Sequence, residues 1–142
     1  MLNELRVGEL LAALGERTPT PASGAATALT GALAAGLTEL AARFAGDEES
    51  VVHAKAAVTR LVELADEDAE AYSAFMADRN ETTRARIIAV PEEIAARADE
   101  VAELAEHVRG QLRSSVAGDA EAAAELARAA ARVARRLAEL NA

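Results

Sequence analysis

An all-α fold is what this sequence predicts, and three observations carry the prediction. Roughly a quarter of the residues are alanine, the strongest helix former. β-Branched residues are sparse, and apolar residues return every three or four positions through most of the chain. Aromatics amount to 2% while hydrophobic residues reach 51%, so the core must be assembled from Ala, Leu and Val. Small side chains of this kind let helices approach closely. The 142 residues are read most simply as one domain, 1–142, an up-and-down bundle of about five helices.

Val7, Leu10, Leu11 and Leu14 recur at helical spacing and predict a short first helix, which Gly15 ends in a left-handed cap. The prolines of "ERTPTP" then break the chain. A second helix is expected with Thr20 as its cap and Pro21 at its first position, running to about Phe44. Gly46-Asp47 reads as a stop followed by a new cap. The third helix carries Glu48 and Glu49 in its first turn, where the helix dipole favours acids, and continues to about Ala77. "DRNETT" reads as a loop. A fourth helix starts around Ile87, is kinked or restarted by Pro91, and ends near Gly110. Asp119 opens a last helix that runs almost to the terminus.

The uncharged stretch from Thr18 to Gly36 is nearly long enough to span a bilayer. Its two prolines, its threonines and its scarcity of large side chains argue against that. Gly24, Ala28, Ala32 and Gly36 instead form a small-residue line, flanked by Leu29, Leu33 and Leu37, that suits a central packing helix. Covering it on all sides in a five-helix chain calls for a second subunit, so a homodimer is expected. Net charge is −9, which disfavours nucleic acid or an anionic membrane face as partner. There is no cysteine for disulfides, thiolate metal sites or nucleophiles. No signal peptide is read at the start, and the expected location is the cytoplasm.

Asp68 is the most informative candidate. Its line on the third helix runs Leu61, Leu64, Asp68, Tyr72, Phe75, which sets a carboxylate in an apolar stripe. Burial there raises its pKa and suits it to proton transfer near neutral pH. The plainer alternative is a side chain that leans to the edge of the stripe, solvated or paired with an arginine. Asp66 and Glu70 read as surface acids. Asp119 either caps the last helix or points inward on the line of Leu126, Ala130, Val133 and Leu137, and the two roles are compatible. His53 and His107 follow Glu49 and Glu103 by four residues, a spacing that does not match the di-iron pattern, so no metal is expected. Arg128, Arg132, Arg135 and Arg136 form a basic face that Glu125 and Glu139 partly neutralise.

"PTPASGAATALTGALAAGL", "ELADEDAEAYSAFMA", "VPEEIAARA" and "AGDAEAAAELARAAARVARRLAELN" resemble, in order and internal spacing, the cyclodeaminase/cyclohydrolase family. The resemblance runs from Thr18 to Asn141. It implies an all-helical dimeric enzyme acting on tetrahydrofolate one-carbon adducts without a metal or bound cofactor. Asp68 would then shuttle the proton and Asp119 would hold the pterin or a water. The helix start at Pro21, with Ser23, Gly24 and Tyr72, would bind substrate. The chain departs from the family pattern where Ala22, Ser23 and Ala25 replace two glycines and a serine, leaving Gly24. It also lacks the asparagine of the family's Gly-Ala-x-x-Asn-Val, and the final helix of many members. The same scaffold without catalysis, serving ligand or partner binding, is the alternative reading.

Overall fold

The computed structural model describes residues 1–113 and 115–142, and among them it contains helices and no strand. A 3-10 turn at Leu2–Glu4 precedes α1 (Val7–Gly15), α2 (Ser23–Ala45), α3 (Glu48–Ala77), α4 (Glu81–Arg109) and α5 (Val116–Asn141). α2 packs against α3, α4 and α5, while α4 and α5 pair along their lengths. α2 is long and apolar enough to cross a membrane, yet 56% of its apolar window is buried against these three neighbours. It is the central helix.

Local chemistry explains most of the ends. Gly46 takes φ 70°, the left-handed conformation that closes α2, and its N–H reaches Arg43 O. Asp47 then caps α3, its Oδ1 accepting from Ser50 N at 3.1 Å. Its Oδ2 accepts from Ser50 Oγ at 2.6 Å and from Gln111 Nε2 at 3.0 Å. These hydrogen bonds, Ser50's hydroxyl first, hold the Asp47 carboxyl down at about 2. A depressed native pKa contributes stability above the ordinary value and loses it as pH falls through the native one. Asp47→Ala is therefore expected to lower the melting temperature at neutral pH. That deficit should fade as pH is taken from 3.8 to about 2 in a thermal-melt series.

Several ends differ from expectation. α1 continues through Gly15 and is followed by extended backbone at Glu16; Gly46 alone among the described residues has positive φ. α2 begins at Ser23 rather than Pro21: Ala22, with φ −140° and ψ −148°, is still outside helical geometry and takes the cap position expected of Thr20. α4 begins well before Ile87: Asn80 Oδ1 accepts from Thr83 N at 2.9 Å and Asn80 N donates to Thr83 Oγ1 at 3.1 Å. This reciprocal cap draws "ETT" into the helix. α5 begins at Val116, so Asp119 sits within its first turn and is not its cap.

The core is built of alanine from α2, α4 and α5, filled by Leu61, Leu64, Ile94, Val101 and Val108. The small-residue line of α2 is buried at Gly24, Ala28 and Ala32 but not at Gly36, around which there is open space. Steps of four overshoot a helical turn by about 40°, so three steps carry Gly36 about 120° round the axis. The glycines that face α3 are Gly24 and Gly31, seven apart. A Cβ on the first would strike Asp68 and one on the second would crowd Leu61, also seven apart, so the helices run antiparallel in register. Leu33 lies on the outer side and is 68% exposed.

Candidate active site

A pocket of about 200 Å³ opens where the start of α2, the middle of α3 and the end of α5 converge. Pro19, Thr20, Ala22, Ser23 and Gly24 form one wall, Asp68 and Tyr72 of α3 a second, and Pro91, Leu137 and Asn141 the rest. No side chain caps the start of α2, whose first intrahelical bond runs from Ala26 N to Ala22 O. The amides of residues 23 to 25 therefore have no intrahelical acceptor, and the positive end of the helix dipole lies at the pocket wall.

Asp68 is half-buried and has no hydrogen-bond or ion-pair partner among the described residues. The arginine pairing considered for it does not occur. Burial alone pushes its carboxyl above the ordinary range, since no donor or cation offsets the lost hydration. Gly24 is what makes room for this carboxyl: any side chain there would overlap its Cγ and both oxygens. Tyr72, one turn on, lines the same pocket and is half-buried.

Of the expected site residues, Asp68, Tyr72, Ser23 and Gly24 come together here. Pro21 does not; it borders a neighbouring depression with Leu2 and Asp66. Asp119 does not either. The pocket uses the opposite end of α5, and at 1.5 Å per residue Leu137 lies about 27 Å further along the helix. Asp66 is more than a surface acid, because its Oδ1 accepts from Leu2 N at 2.9 Å and holds the N-terminal turn onto α3. Glu70 is exposed and faces Arg86 at 3.6 Å. Asn141, Leu137 and Pro91 were missed; the proline interrupting a helical pattern was the available signal.

A wider groove of about 490 Å³ between α3 and α4 is lined by His53, Arg60, Arg97 and Glu100 among others. Its charges are already matched: Arg60 binds Glu63, Glu67 and Glu93, and Arg97 binds Glu100. His53 is exposed, as is His107, which lies 3.4 Å from Asp47. Among the described residues no three His, Cys, Asp or Glu side chains are grouped to hold a metal ion. On α5, Arg128, Arg135 and Arg136 pair with Glu106 and Glu125, Asp99, and Glu139.

A sequence profile described as formiminotransferase-cyclodeaminase matches residues 6–142. The chain belongs to this family. Among solved structures it is similar to a formiminotetrahydrofolate cyclodeaminase from Thermotoga maritima, with TM-score 0.93 and 25% identity over 99% of this chain and 80% of that one. No match was found among curated proteins. As a member of the formiminotransferase-cyclodeaminase family, the chain keeps the helical architecture with Ala22 and Ser23 at the pocket wall, where the resemblance leads one to expect glycines.

Proposed function

We propose that this chain is a cyclodeaminase or cyclohydrolase acting on a tetrahydrofolate one-carbon adduct or a related amidine, with Asp68 transferring the proton. The observation that carries the reading is an unpaired, half-buried carboxylate beside the uncapped start of α2 in a family member. In ring closure, N10 of the folate attacks the carbon of the protonated formimino group, N5–CH=NH2+, which leaves an amino group on that carbon. The Asp68 carboxylate takes the N10 proton and returns it to the amino nitrogen, the C–N bond to that nitrogen breaks, and ammonia leaves. In the cyclohydrolase reaction water adds to the methenyl carbon, the C–N bond to one ring nitrogen breaks as a proton passes to that nitrogen, and a second proton is released, leaving the opened formyl adduct. A carboxyl with raised pKa suits both halves because it exchanges its proton closer to neutrality. Ser23 and the amides at the start of α2 supply donors for a substrate carbonyl or carboxylate.

The pocket of about 200 Å³ is smaller than the roughly 300–1,000 Å³ typical of sites that engulf a ligand, so one chain encloses only part of a folate. A homodimer fits this. Leu33 and Phe44, each 68% exposed, share an outer stripe of α2 with Gly36 and Leu40, and α1 presents Val7 and Leu11 uncovered. Large apolar side chains left exposed in a row on one helix face suit a protein interface. Asp119, remote from the pocket of its own chain, reaches a site only if that interface brings it to the partner's. Sedimentation is expected to give a dimer for the wild type and a monomer for Leu33→Glu/Phe44→Glu. A cytoplasmic location accords with folate chemistry.

The deciding assay is absorbance of the closed ring formed from 5-formiminotetrahydrofolate by the purified protein. Turnover supports the enzyme. Absence of both turnover and folate binding leaves the alternative, a non-catalytic scaffold, for which Ala22 and Ser23 narrowing the pocket wall is the favouring observation.

A further inference from the structure

Pro91 stands inside α4 without breaking it. A proline has no N–H, so the carbonyl four residues before it, that of Ile87, loses its helical donor. The structure supplies a replacement from the far end of the chain: Asn141 Nδ2 donates to Ile87 O at 2.9 Å. Both Pro91 and Asn141 line the pocket that contains Asp68.

A carbonyl oxygen only accepts, so this bond dictates which way the Asn141 amide faces. Nδ2 turns to Ile87, and Oδ1 together with the second N–H stays unspent; Oδ1 has no partner among the described residues. The Asn141 backbone is held as well, its carbonyl accepting from Arg84 Nη1 at 3.4 Å. The end of α5 is thus tied to α4 by two bonds, and the amide is oriented before any ligand arrives.

We propose that Asn141 is a substrate-recognition residue whose amide is oriented by Pro91 through the Ile87 carbonyl, and that it reads a ring edge carrying a donor beside an acceptor. Cyclic amides and cyclic amidines present such an edge. The assignment rests on the folate reading of the pocket and divides labour within it: Asp68 moves the proton and Asn141 selects the ring. Pro91 acts as a positioning residue, since its effect passes through an absent hydrogen bond.

The test is calorimetric titration of 5-formyltetrahydrofolate into the wild type, Asn141→Ala, Pro91→Ala and the double variant, with thermal melts of each. In Pro91→Ala the new N–H takes Ile87 O and releases Asn141. Each single variant is expected to raise Kd about tenfold, and the double variant no further, because both remove the same oriented amide. Pro91→Ala should melt no lower than wild type, since alanine restores the helical bond. Wild-type affinity in Asn141→Ala, with only a lower melting temperature, would mean a mere tether and overturns the proposal while the folate reading stands. Wild-type affinity in Pro91→Ala alone overturns the positioning role. A wild type that binds no folate removes both readings together.

Discussion

Asp68→Asn is expected to slow ring closure by about 10²- to 10⁴-fold, the usual worth of a positioned acid or base, while raising the melting temperature at neutral pH. The two effects share one cause. Asp68 is half-buried without a donor or cation, so its ionised form is less favourable in the folded chain than in water. The native pKa lies above the unfolded one. Its contribution to stability is therefore complete below 3.8 and disappears as pH rises through the raised native value. Asparagine removes that dependence, and the advantage of the variant should be absent in acid and full at neutrality. The catalytic profile follows the same group: an acid limb lying above the ordinary aspartate value in the wild type, and none in the variant. Asp66→Asn is the control, since an amide oxygen still accepts from Leu2 N and leaves the pocket untouched. Rates and melts measured across pH on the three proteins check both halves. Equal losses in Asp66→Asn and Asp68→Asn would contradict the assignment.

How much of this was legible in the sequence depends on how local the determinant is. Helix count, the central position of α2, the Gly46 stop and the Asp47 cap are set by neighbouring residues, and all are visible in the string. The Asp68 stripe was visible too, because three- and four-residue spacing reports a shared face over two turns. The same rule failed at Gly36, where the four-residue step had drifted off the buried side. Asn80 was hidden because its cap uses Thr83 rather than the usual acid. Pro91 was read as a kink or restart because the partner that satisfies Ile87 O lies 54 positions away. Asn141 escaped for the converse reason: nothing near it in the chain reveals that it faces a pocket. Asp119 shows the remaining limit: the line it shares with Leu126 and Val133 was read as facing inward, but those two side chains are 40% and 44% exposed, and α5 buries its alanines from Ala120 to Ala138 instead, because small residues are what the close approach to α2 and α4 admits.

Gly24→Ala is expected to lower activity by about 10²-fold, the scale on which a misplacement of about 1 Å acts, without unfolding the protein. Gly24 lies in the first turn of α2 with no positive φ, so its backbone tolerates a side chain; the obstruction is entirely Asp68. The added methyl would occupy the space of the carboxyl group, which must swing away from the pocket, and a short side chain has few other directions to take. Alanine also favours the helix by about 0.5–1 kcal/mol over glycine, which offsets part of the crowding. Gly118→Ala gives the contrast, because a Cβ there meets nothing within 4 Å: its stability should rise and its activity stay unchanged. The decisive measurement is the double variant Gly24→Ala/Asp68→Asn. If Gly24 serves only to admit the Asp68 carboxylate, the combined loss equals that of Asp68→Asn alone, since an amide that can no longer transfer the proton loses nothing more when the methyl pushes it aside. Additive losses would mean that the glycine backbone itself touches substrate at the start of α2. Circular dichroism and melts on each variant separate either result from unfolding.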